Sequence, residues 1–243
     1  MKKTGIRLGV NVDHVATLRQ VRGGTTPYPH LLEMVQESVR AGADQITIHL
    51  REDERHIQKS DLVLLSAKCP VDLNLEMAVT PRMIRLAKRY RPQWCCFVPE
   101  KRRELTTEGG LDVVGLRSAI QSAIQKLQSR GIEISLFIAP DLKQVRASFE
   151  VGADAVEFHT GHWVRYQGAR KNREWSRLKE AAELAHSLGL RVHAGHGLDF
   201  VHSRKIRKLP HLKEVNIGHF LVCEALRKGL GQAVREMVKV LRR

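Results

Sequence analysis

The chain lacks any apolar run long enough to cross a membrane, and its first segment, MKKTGIRLGVNV, lacks the apolar stretch of a signal peptide. We therefore expect a cytoplasmic protein with no membrane partner. Pro-rich linkers and low-complexity tracts are also missing, so nothing marks a domain boundary. Because 243 residues suit one α/β barrel of roughly 250 residues, we expect a single domain over residues 1–243.

Cysteine is scarce, with only four residues, and none of them forms a C-x-x-C pair. Cys95 and Cys96 are adjacent in an apolar run with strand character, where their side chains would point to opposite faces. We expect buried, reduced thiols rather than disulfides or a zinc site. The cysteines are Cys69, Cys95, Cys96 and Cys223.

Acidic residues are too few to balance the basic ones, which gives a formal net charge of +15. The excess lies in RMIRLAKRYR, SRKIRK and VKVLRR, where charges alternate with apolar residues as on the outer faces of amphipathic helices. We interpret it as solvated helix surface, and attraction of phosphorylated substrates is compatible with that. No stacking-aromatic motif accompanies the charge, so we expect no nucleic-acid partner.

Eight short runs rich in Val, Ile, Leu and Phe recur along the chain, and most are separated by segments with helical spacing. This alternation predicts a parallel sheet with crossover helices, either a doubly wound open sheet or a closed (β/α)8 barrel. The runs are RLGVNVD, QITIHL, VDLNLEM, WCCFVP, EISLFIA, AVEFHT, RVHAGHG and EVNIGHF.

Seven of the eight runs end in polar or titratable residues, whereas their amino ends show no comparable concentration of His and carboxylate pairs. In a barrel, nearly every strand delivers a residue to one shared mouth, so this pattern favours an α/β fold of the (β/α)8 TIM barrel type. The residues at these ends are Asn11, Asp13, His14, His49, Arg51, Glu76, Glu100, Lys101, Glu157, His159, His193, His196, Asn216 and His219.

The third run places Asp72, Asn74 and Glu76 on one face, which is costly inside a barrel unless these groups are paired or catalytic. Glu76 is a candidate general acid or base with a pKa raised by burial, and the alternative is a structural carboxylate that caps a helix or pairs with an arginine. His49 with Arg51 suits proton abstraction beside a bound phosphate. A hydrogen-bonded core histidine is the alternative for His49.

Two motifs, AGHGL and NIGHF, place Gly beside His at the ends of the last two runs. Barrels often bind phosphate at this position, so Gly197, Gly218 and His219 are candidate phosphate ligands, and tight turns that need glycine are the alternative. The charged loop at residues 99–110 is either a lid or a solvated loop.

Metal binding is a further hypothesis for two pairs with three-residue spacing, His159 with His162 and His193 with His196. No H-x-H motif occurs, and glycine interrupts both HTGH and HAGH, which argues against a helical pair of ligands. We expect no metal.

Seven motifs occur in the order in which the pyridoxine 5′-phosphate synthase family has them, and from Leu8 to the C-terminus the chain closely resembles that family. The motifs are LGVNVDHVATLRQVRG, ITIHLREDERHI, NLEMAVT, VPEKRRELTTEGGLDV, EFHTG, AGHGL and NIGHFLV.

The resemblance implies a (β/α)8 barrel with added helices, assembled as a homo-octamer, that uses neither a metal nor an organic cofactor. It implies condensation of 1-deoxy-D-xylulose 5-phosphate with 3-amino-2-oxopropyl phosphate to pyridoxine 5′-phosphate, with loss of phosphate and water. Schiff-base formation, eliminations and ring closure consist of proton transfers, which His and Glu side chains supply.

The resemblance also implies a role for each matching residue. His49 is the proton acceptor, Glu76 a second acid/base, His196 the proton donor, and Glu157 supports charged intermediates. The deoxyxylulose phosphate is held by Asp13, His14, Arg51, His56 and Thr106. The amino ketone phosphate is held by Asn11, Arg22, Gly197, Gly218 and His219.

The segment HWVRYQGARKNREW, at residues 162–175, is more basic and aromatic than the family pattern, so packing or subunit contacts are expected to differ there. Two other hypotheses stay open. A metal-dependent phosphosugar epimerase would lose activity on chelation, and a basic nucleic-acid-binding barrel without catalysis would bind less tightly as salt rises.

Overall fold

Eight parallel strands close into a barrel in sequence order, and the last strand pairs with the first. The computed structural model describes residues 5–106 and 109–242. This is the α/β (β/α)8 architecture predicted from the strand ends. The strands are β1 (Arg7–Asn11), β2 (Gln45–His49), β3 (Asp72–Met77), β4 (Trp94–Phe97), β5 (Glu133–Ile138), β6 (Ala155–His159), β7 (Arg191–Gly195) and β8 (Leu212–Ile217).

Helices surround the barrel, and the segments after β1, β6 and β8 each hold two. A 3-10 turn at Arg102–Glu104 lies between β4 and the next helix. The helices are α1 (Asp13–Gln20), α2 (Leu31–Arg40), α3 (Lys59–Lys68), α4 (Pro81–Tyr90), α5 (Arg117–Gln128), α6 (Leu142–Glu150), α7 (Gly161–Arg165), α8 (Gly168–Ser187), α9 (Phe200–Ile206), α10 (His219–Lys228) and α11 (Leu230–Arg242).

The apolar core lies between the strands and the helices, where residues such as Leu8, Ile46 and Ile48 are fully buried. Their strand neighbours point into the barrel, because side chains alternate along a strand. Many of these inward residues are polar and buried, among them Thr47 and Asn216, which share a 2.9 Å hydrogen bond. The polar face expected for β3 is therefore a property of the whole barrel interior.

The helix α8 begins at Gly168, ten residues before Leu178, where clear helical spacing begins in the sequence LKEAAELAHSLGL. The unusual basic and aromatic segment forms α7 and the start of α8. Trp163 is buried with its ring centroid 5.3 Å from that of Trp175. Lys171 lies over the ring of Trp163 and Lys205 over the ring of Trp175. Cation–π contacts within this segment and to α9 thus account for basic and aromatic residues occurring together.

Two sequence expectations are wrong in part. The amino ends of the strands do carry a charged network, in which Arg7 pairs with Asp72 at 2.8 Å and with Glu214 at 3.0 Å. His193 does not reach the mouth. It is buried in the middle of β7, 3.7 Å from Glu214, because strand alternation directs it into the barrel beside Glu157, its partner in the register of β6 and β7.

The cysteines are all free, as expected. Cys95 and Cys96 are buried, and burial raises the pKa of both thiols. Cys223 contradicts the expectation of burial, because it lies on the exposed side of α10 beside His219, and Cys69 is only partly buried.

Candidate active site

A cavity of about 710 Å³ opens at the carboxyl ends of the strands. Ten of the fourteen residues predicted for the site line it, so the strand-end argument locates most of the site. These ten are Asn11, Asp13, His14, His49, Glu76, Glu157, His196, Gly197, Gly218 and His219.

The other four predicted residues do not line the cavity. Arg22 is exposed just beyond α1. Arg51 follows β2 and pairs with Asp53 at 3.2 Å. The ring of His56 lies 6.2 Å from that of His49, and burial lowers the pKa of His56 to about 4. Thr106 lies in the loop after β4, where its N–H donates to the carbonyl of Gly110.

Asp13 links the first two strands. Its Oδ1 accepts the backbone N–H of His49 at 2.8 Å, and its Oδ2 accepts from Nδ2 of Asn11 at 2.9 Å. Burial raises the pKa of Asp13 to about 6, although these bonds and the nearby charges of His49 and Arg51 act to lower it.

His49 and Glu76 occupy opposite positions in the paired strands β2 and β3. Nδ1 of His49 lies 3.9 Å from Oε2 of Glu76, and both side chains line the cavity. Burial and the nearby carboxylates of Asp13 and Glu157 raise the pKa of Glu76 well above its ordinary range. In the described ranges, 5–106 and 109–242, no arginine pairs with Glu76, and Thr80 caps the next helix, so neither form of the structural-carboxylate alternative is observed.

Glu157 lies deeper in the barrel and accepts a 2.8 Å hydrogen bond from Nδ2 of Asn216. Burial raises the pKa of Glu157 to about 8, and the nearby carboxylate of Glu214 acts in the same direction. Gly195 leaves the space that this carboxylate occupies, since a Cβ there would lie 2.1 Å from Oε1 of Glu157.

His196 has a φ of +78°, a backbone conformation that costs energy for any residue other than glycine. The hydroxyl of Thr160 lies 2.6 Å from the carbonyl oxygen of His196 and 2.8 Å from that of Gly195. This buried contact fixes the turn after β7. Burial and the charge of Arg165 lower the pKa of His196.

A further histidine, His159, lines the cavity with its ring centroid 4.7 Å from that of His196. Burial and the neighbouring His196 lower the pKa of His159 to about 3, which keeps it neutral near pH 7. Gly161 makes room for both rings, because a Cβ there would approach each of them to 2.9 Å. Sequence reasoning placed His159 at a strand end but gave it no role in proton transfer.

The candidate phosphate ligands lie where they were predicted. Gly218 and His219 stand at the start of α10, a ten-residue helix. Gly197 has a φ of +78°, which requires glycine, whereas a Cβ on Gly218 would approach Asn11 to 2.9 Å. The tight-turn alternative therefore describes Gly197 correctly and is compatible with phosphate binding.

The loop after β4 reaches the cavity through Leu105 and Gly109. Residues 107 and 108 of the proposed lid lie outside the described residues. Glu100, at the start of this loop, bonds to His49 at 3.0 Å. The sequence places Glu100 at a strand end, but only the folded structure shows that it pairs with His49.

Asp13, His49 and Glu76 offer ligand atoms that all lie within 4.8 Å of one another. A divalent ion would find two carboxylates and an imidazole there, a mixed set that suits several transition metals. The two His pairs with three-residue spacing are not part of this cluster. The same three residues also form a metal-free acid–base group, so geometry alone leaves both interpretations open.

Comparison with known proteins decides the family. The family model of pyridoxal phosphate biosynthesis protein PdxJ matches residues 8–243. The chain belongs to the PdxJ family. A pyridoxine 5′-phosphate synthase of Bdellovibrio bacteriovorus is 67% identical over 240 residues, which are 99% of this chain and 100% of that protein. One of Magnetococcus marinus is 50% identical over 98% of this chain and 97% of that protein.

Solved structures add support for the fold alone. A protein from Aquifex aeolicus has a TM-score of 0.70 at 17% identity and covers 100% of this chain and 96% of its own. As a PdxJ family member, the chain is an enzyme of pyridoxine phosphate synthesis. Within the described residues, none of the helices is both long and apolar enough to cross a membrane.

Proposed function

We propose that this protein condenses 1-deoxy-D-xylulose 5-phosphate with 3-amino-2-oxopropyl phosphate to pyridoxine 5′-phosphate. The amine of one substrate and the ketone of the other form a Schiff base, and ring closure follows. One inorganic phosphate and two waters leave, which balances the reaction. Membership of the PdxJ family and the names of its relatives support this assignment.

The observation that carries the proposal is the pairing of His49 with Glu76 in the cavity, 3.9 Å apart. His49 accepts a proton from the substrate, and Glu76 is the second acid/base. Its raised pKa favours the protonated form of Glu76, which is the form that donates a proton to a leaving hydroxyl. The reaction is then a series of proton transfers between fixed groups.

His196 and Glu157 complete the catalytic set. His196 donates a proton from the turn after β7, on the same side of the cavity as His159. Glu157 supports charged intermediates from below. Because its pKa is raised, Glu157 can lose its proton when a positive charge develops on the substrate. Asn216 holds the carboxyl group in place.

The two substrates occupy different sides of the cavity in this proposal. The deoxyxylulose phosphate is held by Asp13, His14, Arg51, His56 and Thr106. The amino ketone phosphate is held by Asn11, Arg22, Gly197, Gly218 and His219, with its phosphate at the start of α10. Arg22, Arg51, His56 and Thr106 lie outside the cavity wall, so we assign their contacts to a form in which the loops after β1, β2 and β4 close over substrate.

The remaining elements of the proposal follow from the family resemblance. The enzyme is a transferase that needs no metal or organic cofactor, and residues 1–243 form one domain. It works in the cytoplasm as a homo-octamer and binds no nucleic acid. Its basic outer surface attracts the two phosphorylated substrates.

The test is an assay with purified, chelator-treated protein in which each substrate is omitted in turn. We expect fluorescent pyridoxine 5′-phosphate only when both substrates are present. Product formed from one substrate alone, or no product from a folded protein, would reject the proposal, and only the second of these outcomes would favour the epimerase hypothesis. The epimerase hypothesis has the Asp13, His49 and Glu76 cluster in its favour, as a candidate metal site.

A further inference from the structure

We propose that Glu100 is a positioning residue for His49, which it holds in the tautomer with the proton on Nε2 so that Nδ1 is free to accept a proton. The inference rests on the proposed function, in which His49 is the proton acceptor. Glu100 itself does not line the cavity, so it acts through His49 rather than on the substrate.

The contacts of Glu100 are short and buried. Its side chain is only 4% exposed, and its Oε1 lies 3.0 Å from Nε2 of His49. Its Oε2 accepts the backbone N–H of Glu52 at 3.0 Å. Each carboxylate oxygen thus has its own partner in the segment around the end of β2, and this fixes the orientation of the carboxylate plane.

These contacts determine which ring nitrogen of His49 carries the proton. Burial acts to raise the pKa of Glu100, but the hydrogen bonds from His49 and Glu52 and the charges of His49 and Arg51 lower it overall. An ionised carboxylate only accepts hydrogen bonds, so Nε2 of a neutral His49 must be protonated. The lone pair then lies on Nδ1, the atom that faces Glu76 across 3.9 Å.

Other charged groups surround His49 without fixing its tautomer. Asp13 accepts the backbone N–H of His49 rather than a ring proton. Arg51 and His56 lie on its own loop, and His56 makes an edge contact at 6.2 Å between ring centroids. Among residues 5–106 and 109–242, Glu100 makes the hydrogen bond to Nε2.

The position of Glu100 depends on the loop after β4. Glu104 accepts the backbone N–H groups of Glu100 and Lys101 at 2.9 and 3.2 Å. Lys101 in turn pairs with Glu52 at 2.9 Å. Leu105, the next residue in this loop, lines the cavity. The segment at residues 100–105 therefore lines the cavity and also orients His49, the proposed base.

The deciding variant is Glu100→Gln, which keeps the shape of the side chain. The N–H of Glu52 needs an acceptor, so the amide oxygen stays with Glu52 and the amide NH₂ turns toward His49. The amide then donates to Nε2 and forces the proton onto Nδ1, the wrong tautomer for a base. We expect kcat to fall by about 10²–10⁴-fold with KM within about threefold.

The pH–rate profile separates this role from a structural one. Loss of an anion 3.0 Å from the imidazole disfavours the imidazolium, so the acidic limb should move to lower pH. Glu100→Asp keeps an ionised acceptor and should be at least about tenfold faster than Glu100→Gln. It also serves as the test variant if Glu100→Gln does not fold by circular dichroism.

The matched control is Glu150→Gln, which removes one carboxylate from an exposed ion pair with Arg117 at the end of α6. Neither residue lines the cavity, so we expect kcat within about twofold of wild type. A Glu100→Gln rate near wild type, or an unmoved acidic limb, would overturn the positioning role. Failure of the proposed function is distinct, because wild-type protein would then form no product.

Discussion

Nδ1 of His49 lies 3.9 Å from Oε2 of Glu76 because the two residues stand opposite each other in paired strands. Their separation is set by the register of β2 and β3 and not by a loop. Groups held in this way need little rearrangement when a proton moves, which is the advantage of a preorganised site. The carboxyl end of a barrel sheet gives this rigidity to residues that are far apart in sequence.

Replacement of Glu76, the proposed second acid/base, should stop turnover without unfolding the protein. For Glu76→Gln we expect kcat to fall by about 10²–10⁴-fold, since the amide can neither give nor take a proton. His49→Asn should have a similar effect. Steady-state kinetics with circular dichroism measures both rate and fold. The matched control is Glu183→Gln, an exposed residue that pairs with His211. A near-normal rate for Glu76→Gln would show that its role is wrongly assigned.

Gly195 should be intolerant of a side chain because Glu157 fills the space above it. In Gly195→Ala the new Cβ would lie 2.1 Å from Oε1 of Glu157, so the carboxyl must move. We expect kcat to fall at least tenfold and stability by about 1–3 kcal/mol, as overpacking typically costs.

The control for this substitution is Gly189→Ala. Gly189 has a φ of +87°, and no atom of the described residues would lie within 4 Å of a Cβ added there. Alanine should therefore cost about 1 kcal/mol through the backbone and leave kcat unchanged. Chemical denaturation and steady-state rates compare the two variants. Equal rates for both alanine variants would contradict the steric account of Gly195.

Stability should fall as pH rises through the pKa of Glu157. Burial raises this pKa from 4.5 to about 8 in the folded state. The folded protein keeps a proton that the unfolded chain releases, so the contribution is complete below pH 4.5 and is lost as pH rises to about 8. Glu157→Gln stays neutral throughout, and its Tm should fall several degrees less than that of wild type between about pH 6 and pH 9.

The other buried acids are present in both proteins, so the difference between the two curves reports the titration of Glu157 together with its effect on the pKa of Glu76. Glu180→Gln, on the exposed face of α8, should follow the wild-type curve. Differential scanning calorimetry across this range provides the measurement. Parallel curves for wild type and Glu157→Gln would mean that Glu157 is already ionised near neutral pH.

The sequence predicted the barrel because each strand kept a distinct apolar run and most of the intervening segments had helical spacing. It located His49, Glu76 and Glu157 because strand ends converge at one mouth in any barrel. It misplaced His193, which lies inside the barrel 3.7 Å from Glu214 and does not line the cavity, although Glu157, its partner in the register of β6 and β7, does. It also missed the partnership of Glu100 with His49, since such a contact depends on how two loops fold.

Chelation distinguishes the acid–base assignment from the metal-dependent alternative. Asp13, His49 and Glu76 are close enough to hold an ion, but the proposed reaction needs only proton transfers. We expect protein dialysed against a chelator to keep its full rate and added divalent ions to give no increase. Loss of activity on chelation with recovery on adding one divalent metal would favour the epimerase hypothesis.

The most direct test follows pyridoxine 5′-phosphate by its fluorescence and released inorganic phosphate in the same chelator-treated reaction. The proposed condensation predicts equal amounts of the two at every time point, because one of the two substrate phosphates leaves per ring formed. It also predicts that neither appears with His49→Asn. Phosphate without pyridoxine 5′-phosphate, or product that does not depend on His49, would contradict the account.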